Sequence, residues 1–142
     1  MVAPLAVGLE HARRGLPSKD DVALVLGCGA IGLGVIIGQK LAGMGPVVAA
    51  DFHEGRRALA LRAGADVVLD PRELSPYQPI LGLGVRQVNL VYECVGMPGM
   101  LQQIIESVGF GARIGLSGAA QAMAEMSGPL APVRTVIDPR KF

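Results

Sequence analysis

The stretch Val22-Ala23-Leu24-Val25-Leu26-Gly27-Cys28-Gly29-Ala30-Ile31-Gly32, resumed at Pro46-Val47-Val48-Ala49-Ala50-Asp51, decides the fold. Its first five residues are apolar throughout, as in a central parallel strand covered on both faces. Gly27, Gly29 and Gly32 form a G-x-G-x-x-G turn that runs into a helical segment. A second apolar strand follows and ends in an acid, Asp51, at the spacing of about 20 residues that a mononucleotide-binding βαβ unit requires.

Each position has a physical task in that unit. Gly27 permits the tight turn off the strand. Gly29 has no Cβ to hold off a pyrophosphate, and Gly32 lets the helix lie close to the sheet. The amides of Ala30, Ile31 and Gly32 face the phosphates at the positive end of the helix. Asp51 accepts hydrogen bonds from the adenosine ribose hydroxyls. A 2′-phosphate there meets a like charge, so the pattern favours NAD over NADP. The rival ligand, S-adenosylmethionine, usually wants an acid just before the glycine turn, where this chain has Leu26. The bland alternative is a glycine-rich β–α turn that binds nothing, in a chain with 20 glycines.

Composition narrows the classes. At 142 residues the chain is the size of one domain, and 51% apolar residues suffice for a core. A net charge of +1 without a basic block gives no expectation of a nucleic-acid partner. No apolar run reaches membrane-span length, and the start lacks the basic-then-apolar order of a secretion signal. Cys28 and Cys94 are too few for a disulfide framework, and with two histidines they make no spaced metal-ligand set. The expected setting is cytoplasmic and reduced.

Along the chain, residues 3–14 predict a helix with Leu5, Leu9 and Ala12 on its apolar stripe, weakened by Gly8 and stopped by Gly15-Leu16-Pro17. His11 reads as a packing or capping residue rather than a ligand. The helix after the glycine turn spans about 30–43, with Leu33, Ile36, Ile37, Leu41 and Met44 as its apolar face. Gly34 and Gly38 lie four apart on it, which suggests close packing on the sheet. A helix over 54–63 opens with Arg56, beside the ribose pocket, where the guanidinium either covers the adenine or is simply solvated. Strands are expected at 66–69, 87–93 and 112–116, and a helix at 98–107 with Leu101, Ile104, Ile105 and Val108 on one face. Residues 72–84 read as irregular, with a helical turn at 78–82. A last strand at 133–137 would leave a sheet edge that invites pairing with another chain.

The phrases Pro4-Leu5-Ala6-Val7 with His11-Ala12, Val25 to Gly32, Asp51 with Arg56, Gly64-Ala65-Asp66, Glu93-Cys94-Val95-Gly96 and Gly111-Ala112-Arg113-Ile114 are those of a known family. Over residues 3–118 the chain resembles the cofactor-binding domain of the zinc-type, medium-chain alcohol dehydrogenases, which include sorbitol and threonine dehydrogenases. The resemblance implies an α/β Rossmann fold: a six-stranded, doubly wound parallel sheet with helices on both faces and NAD across its carboxyl edge. It places Gly27, Gly29, Ala30, Ile31 and Gly32 at the pyrophosphate, Asp51 at the ribose and Arg56 on the adenosine side. Cys94, Val95 and Gly96 fall under the nicotinamide ribose, and Leu116 and Ser117 meet the nicotinamide end.

The resemblance also implies a separate GroES-like catalytic domain carrying zinc and the residues that polarise the alcohol oxygen. Nothing in this sequence matches those ligands, and Ala3 stands where many sorbitol-type members have a glutamate. The expected organisation is a domain-joining helix over 1–17, an NAD-binding domain over 18–118 and an irregular segment over 119–142. The expected function is NAD binding without turnover, zinc being a matter for a full-length parent enzyme. Oxidation of an alcohol or polyol, or carbonyl reduction, would be the parent reaction. Partners would be NAD, the missing catalytic domain and, through the sheet edge, a second copy. The alternatives are a stand-alone nucleotide-binding or redox-sensing module and a structural oligomerisation domain with a vestigial site.

Overall fold

A computed structural model of the chain describes residues 2–78, 87–109, 111–116 and 136–137. Among the described residues six strands form one sheet: β1 (Ala23–Leu26), β2 (Val47–Ala50), β3 (Val67–Leu69), β4 (Leu90–Glu93), β5 (Arg113–Leu116) and β6 (Val136–Ile137). Their spatial order is β3-β2-β1-β4-β5-β6. The first five are mutually parallel, with the order reversing between β1 and β4, so the sheet is doubly wound. The edge strand β6, whose direction the sequence left open, pairs antiparallel with β5. Val136–Ile137 fall within the 133–137 expected from the sequence; residues 133–135, and residues 79–82 of the turn expected at 78–82, lie outside the described residues.

Among the described residues four helices flank the sheet: α1 (Val2–Arg14), α2 (Ala30–Leu41), α3 (Glu54–Ala63) and α4 (Met100–Ser107). Strand alternation divides the core in two. Ala23, Val25, Val47, Ala49, Leu90 and Tyr92 face a layer that includes Ala12 of α1, Val35 and Ile36 of α2 and Ala60 of α3. Leu24, Leu26, Val48, Val91, Ile114 and Leu116 face the other way, against Ile104, Met100 and Leu101 of α4. Helices therefore cover both faces.

Two expectations about helix faces need correction. Leu41 is 80% exposed, and the inward positions of α2 are Val35, Ile36 and Gln39, a face turned by about one residue from the stripe read from the sequence, with Ile36 common to both. In α4, Ile105 is exposed, because one strand face needs only the Ile104 side of so short a helix. Gly34 and Gly38 do not pack on the sheet but face α1. A Cβ on Gly34 would lie 2.5 Å from the Leu5 carbonyl oxygen, and one on Gly38 would lie 2.8 Å from the Ala12 Cβ. Gly8 meets them from the opposite side, 2.2 Å from the Ile31 carbonyl oxygen by the same measure. These glycines trade helix propensity, about 1 kcal/mol each, for two backbones in contact.

Buried polar groups fix α1 on this layer. Tyr92 Oη donates to the Ala12 carbonyl at 2.8 Å, and Gln39 Nε2 donates to Tyr92 Oη at 2.7 Å. His11 packs edge-on against the Tyr92 ring, with centroids 5.3 Å apart, which bears out a packing role. Burial lowers its pKa and keeps it neutral. At the amino edge of the sheet, Asp21 accepts from Asn89 Nδ2 and pairs with Arg113, whose Nη1 also donates to the Leu16 carbonyl. This network ties the α1–β1 connection to β4 and β5.

Candidate functional site

At the opposite edge of the sheet, the carboxyl ends of β1, β2, β4 and β5 lie side by side. The strand register places Leu26, Ala50, Glu93 and Leu116 in one row, with the candidate residues just beyond them.

The glycine turn behaves as its residue types require. Gly27 has φ +90°, a left-handed conformation that L side chains avoid, and its amide donates to the Ala50 carbonyl at 2.9 Å. A Cβ on Gly32 would lie 1.9 Å from the Gly27 carbonyl oxygen and 3.4 Å from Val25 Cγ1, so the start of α2 rests directly on the turn and strand below it. Gly29 is the contrasting case. It has φ −73° and ψ −170°, and a Cβ there would meet nothing within 4 Å. The protein itself makes no demand for glycine at 29; the open space lies on the outer side of the turn. Among the described residues no side chain caps α2, whose first-turn amides, those of Ala30, Ile31 and Gly32, lie at the positive end of the helix.

Asp51 sits at the end of β2, with only 8% of its surface exposed. Its Oδ2 accepts the Cys28 amide at 2.8 Å and its Oδ1 accepts the His53 amide at 2.8 Å. One carboxylate thus joins the glycine turn to the β2–α3 loop. Each oxygen keeps a lone pair for a ligand hydroxyl. Arg56 reaches within 3.9 Å of Oδ2, its side chain 55% exposed.

The neighbouring Arg57 escaped the sequence reading. Its Nη1 donates to the carbonyls of Asp51 and Phe52, at 2.7 and 2.9 Å, and lies 3.4 Å from Asp70 Oδ2. Arg72 closes the same loop, pairing with Asp70, donating to the Phe52 carbonyl at 3.0 Å and lying 5.4 Å from the Phe52 ring centroid. Asp51 and Asp70 follow directly on residues paired between β2 and β3. Two acids placed so close at paired strand ends were the available signal that nearby arginines were committed.

On the β4 side, Cys94 is partly buried, Val95 is 39% exposed and Gly96 has φ +76°. Both thiols are free. Burial and the charge of Asp51 raise the Cys28 thiol to about 12, and burial also raises that of Cys94, so neither is an activated nucleophile or a ready metal ligand. Leu116 ends β5 and is buried. Ser117 lies outside the described residues. The structure thus brings the glycine turn, Asp51, Arg56, the Cys94–Gly96 loop and Leu116 to one edge. Among the described residues there is no group of three or more His, Cys, Asp or Glu that could hold a metal ion. No helix of the described residues is long and apolar enough to cross a membrane.

A doubly wound sheet with an open glycine turn at its switch point and an acid closing the second strand defines a dinucleotide-binding Rossmann domain. Known proteins agree. The sequence model described as zinc-binding dehydrogenase matches residues 30–139. Sorbitol dehydrogenase from Pongo abelii is 30% identical over 139 residues, which is 96% of this chain and 39% of that protein. An alcohol dehydrogenase from Escherichia coli CFT073, solved in complex with NADH, superposes with a TM-score of 0.67 at 26% identity, over 82% of this chain and 34% of its own. A zinc-binding dehydrogenase from Sinorhizobium meliloti 1021, solved with NADP, superposes at 0.63 and 27% identity, over 80% of this chain and 34% of its own. The chain belongs to the zinc-type medium-chain alcohol dehydrogenase family and corresponds to its NAD-binding domain. It spans about two fifths of the sorbitol dehydrogenase it matches.

Proposed function

We propose that this chain binds NAD(H) along the carboxyl edge of its sheet and serves hydride transfer between an alcohol or polyol and its carbonyl product. The pyrophosphate lies over Gly29 and the amides of Ala30, Ile31 and Gly32. The adenosine ribose hydroxyls bond Asp51, with Arg56 beside the adenine. The nicotinamide end reaches Cys94, Val95, Gly96, Leu116 and Ser117. Residues 18–118 form this domain, residues 1–17 join it to a catalytic domain, and 119–142 form a C-terminal segment that carries the edge strand β6. The zinc and the groups that polarise substrate oxygen belong to that catalytic domain, so the chain by itself binds cofactor and turns over nothing. The reading includes a cytoplasmic setting, consistent with two free thiols, and pairing of two copies through the edge strand β6.

The preference for NAD over NADP rests on Asp51. A phosphate about 4 Å from this carboxylate meets a repulsion of about 4 kcal/mol at an effective dielectric constant of about 20. Arg56 offsets part of it, but its guanidinium is mostly in solvent and screened, whereas Asp51 is held in place by two amides.

The single observation behind this reading is the empty approach over Gly29 beside the carboxylate of Asp51. Titration of the purified chain with NADH, followed by the rise and blue shift of nicotinamide fluorescence, tests it. Saturable enhancement that excess NAD reverses is the expected result. A folded chain that leaves the NADH emission unchanged would remove the proposal.

A further inference from the structure

Glu93 is a carboxylate with 1% of its surface exposed, placed at the last position of β4, and no arginine or lysine is hydrogen-bonded to it among the described residues. A buried carboxylate without a cation needs hydrogen bonds to the ionised form. Glu93 has them from the loop that follows it: Oε1 accepts the Val95 amide at 2.5 Å and the Gly96 amide at 2.8 Å. The side chain therefore folds the chain back on itself at Cys94–Gly96. Gly96 at φ +76° completes that turn.

The loop so formed lies against the glycine turn. The Cys94 amide donates to the Leu26 carbonyl at 2.9 Å. A Cβ on Gly27 would lie 2.9 Å from Val95 Cγ2 and 3.1 Å from the Cys94 carbonyl oxygen. Gly27 thus answers to two demands, its own positive φ and the close approach of Val95. Two consequences follow. Because Glu93 occupies the Val95 and Gly96 amides, this loop offers no anion site, and phosphate recognition stays with the start of α2. The half-exposed Val95 side chain is also held at a fixed distance from the pyrophosphate turn.

We propose that Glu93 is a positioning residue: through the Val95 and Gly96 amides it sets the loop that receives the nicotinamide-ribose half of the cofactor. This rests on the cofactor reading above. It makes a selective claim, since the adenosine half, at Gly29 and Asp51, does not depend on the loop. Calorimetric titration of the full chain and of Glu93→Ala, Glu93→Gln and Glu93→Asp with NAD and, separately, with AMP tests it. In Glu93→Ala, NAD affinity is expected to fall about tenfold or more, the effect of two lost charge-assisted bonds, while AMP affinity stays within about twofold.

Glu93→Gln, whose amide oxygen can accept both bonds, is expected to hold NAD affinity within about threefold of wild type. Should the alanine variant not fold, Glu93→Asp, too short to reach both amides, is expected to show the same NAD-only loss. NAD and AMP affinities falling together in a folded variant, or Glu93→Ala binding NAD as wild type does, would overturn the proposal. Wild type binding AMP and NAD with equal affinity would also overturn it, because the loop would then contribute nothing. Wild type binding neither would overturn the cofactor reading, and this inference with it.

Discussion

The carboxylate of Asp51 receives the backbone amide of Cys28 at 2.8 Å, so the acid at the end of β2 is bolted to the glycine turn after β1. Its other oxygen holds the His53 amide. The residue that would select the ribose is thus also a structural tie.

Asp51→Ala is accordingly expected to do two things. It strands two amides, one of them buried, and should lower stability by about 2 kcal/mol, read from urea unfolding. It should also weaken NAD binding while raising the NADP-to-NAD affinity ratio. Asp51→Asn keeps one acceptor oxygen and should cost about half as much stability. An alanine variant as stable as wild type, with the same cofactor ratio, would contradict both roles.

Gly29 and Gly32 belong to one motif but should respond oppositely to a side chain. Gly29→Val adds atoms to open space at an ordinary φ, so thermal unfolding should shift little, while the valine fills the phosphate approach and abolishes cofactor binding. Gly32→Ala drives a methyl into the Gly27 carbonyl and should cost stability by several kcal/mol, whatever the ligand. Comparing melting curves of the two variants without cofactor checks the contrast.

Tyr92→Phe removes the hydroxyl that donates to the Ala12 carbonyl and accepts from Gln39, in a site with no exposed surface. Two buried groups lose a partner at once. The expected loss is about 1–3 kcal/mol, with α1 the first element to loosen, measured by amide hydrogen exchange in α1 against that in β1.

Arg72 holds the Asp70 carboxyl at about 2, down from its ordinary 3.8, through hydrogen bonds before charge. A carboxyl lowered in the folded state stabilises the fold fully above its unfolded pKa, and that stabilisation disappears as pH falls toward the folded value. The chain should therefore lose stability between about pH 4 and pH 2. Arg72→Ala should flatten that part of the profile, leaving the contribution of Glu10, which Arg13 and Arg14 hold near 2 in the same way. Thermal midpoints measured across this pH range provide the check.

Much of this arrangement was legible in the sequence because backbone demands leave clear marks. The apolar runs at 22–26 and 46–50, the three glycines and the acid after the second strand need no tertiary knowledge to interpret. Helix α3 was found at its observed bounds, since Gly64 at φ +113° ends it as a left-handed cap. Contacts between elements distant in sequence were not legible. The pattern Gly8, Gly34, Gly38 becomes a helix crossing only when α1 is known to lie on α2. Gln39 looks like a solvent residue until Tyr92 is placed beneath it. Glu93 serves its own loop through backbone amides, which no side-chain pattern announces. The antiparallel course of β6 likewise could not be read from two apolar residues.

The central claim is that the turn at Gly27–Gly32, tied to Asp51, is a working NAD site. Isothermal titration of the purified chain with NAD and with NADP tests it most directly. Saturable binding of NAD, with NADP weaker by tenfold or more, is the predicted result, about 1.4 kcal/mol of discrimination being a modest share of the repulsion at Asp51. A well-folded chain that binds neither nucleotide, or binds NADP as tightly as NAD, would contradict it.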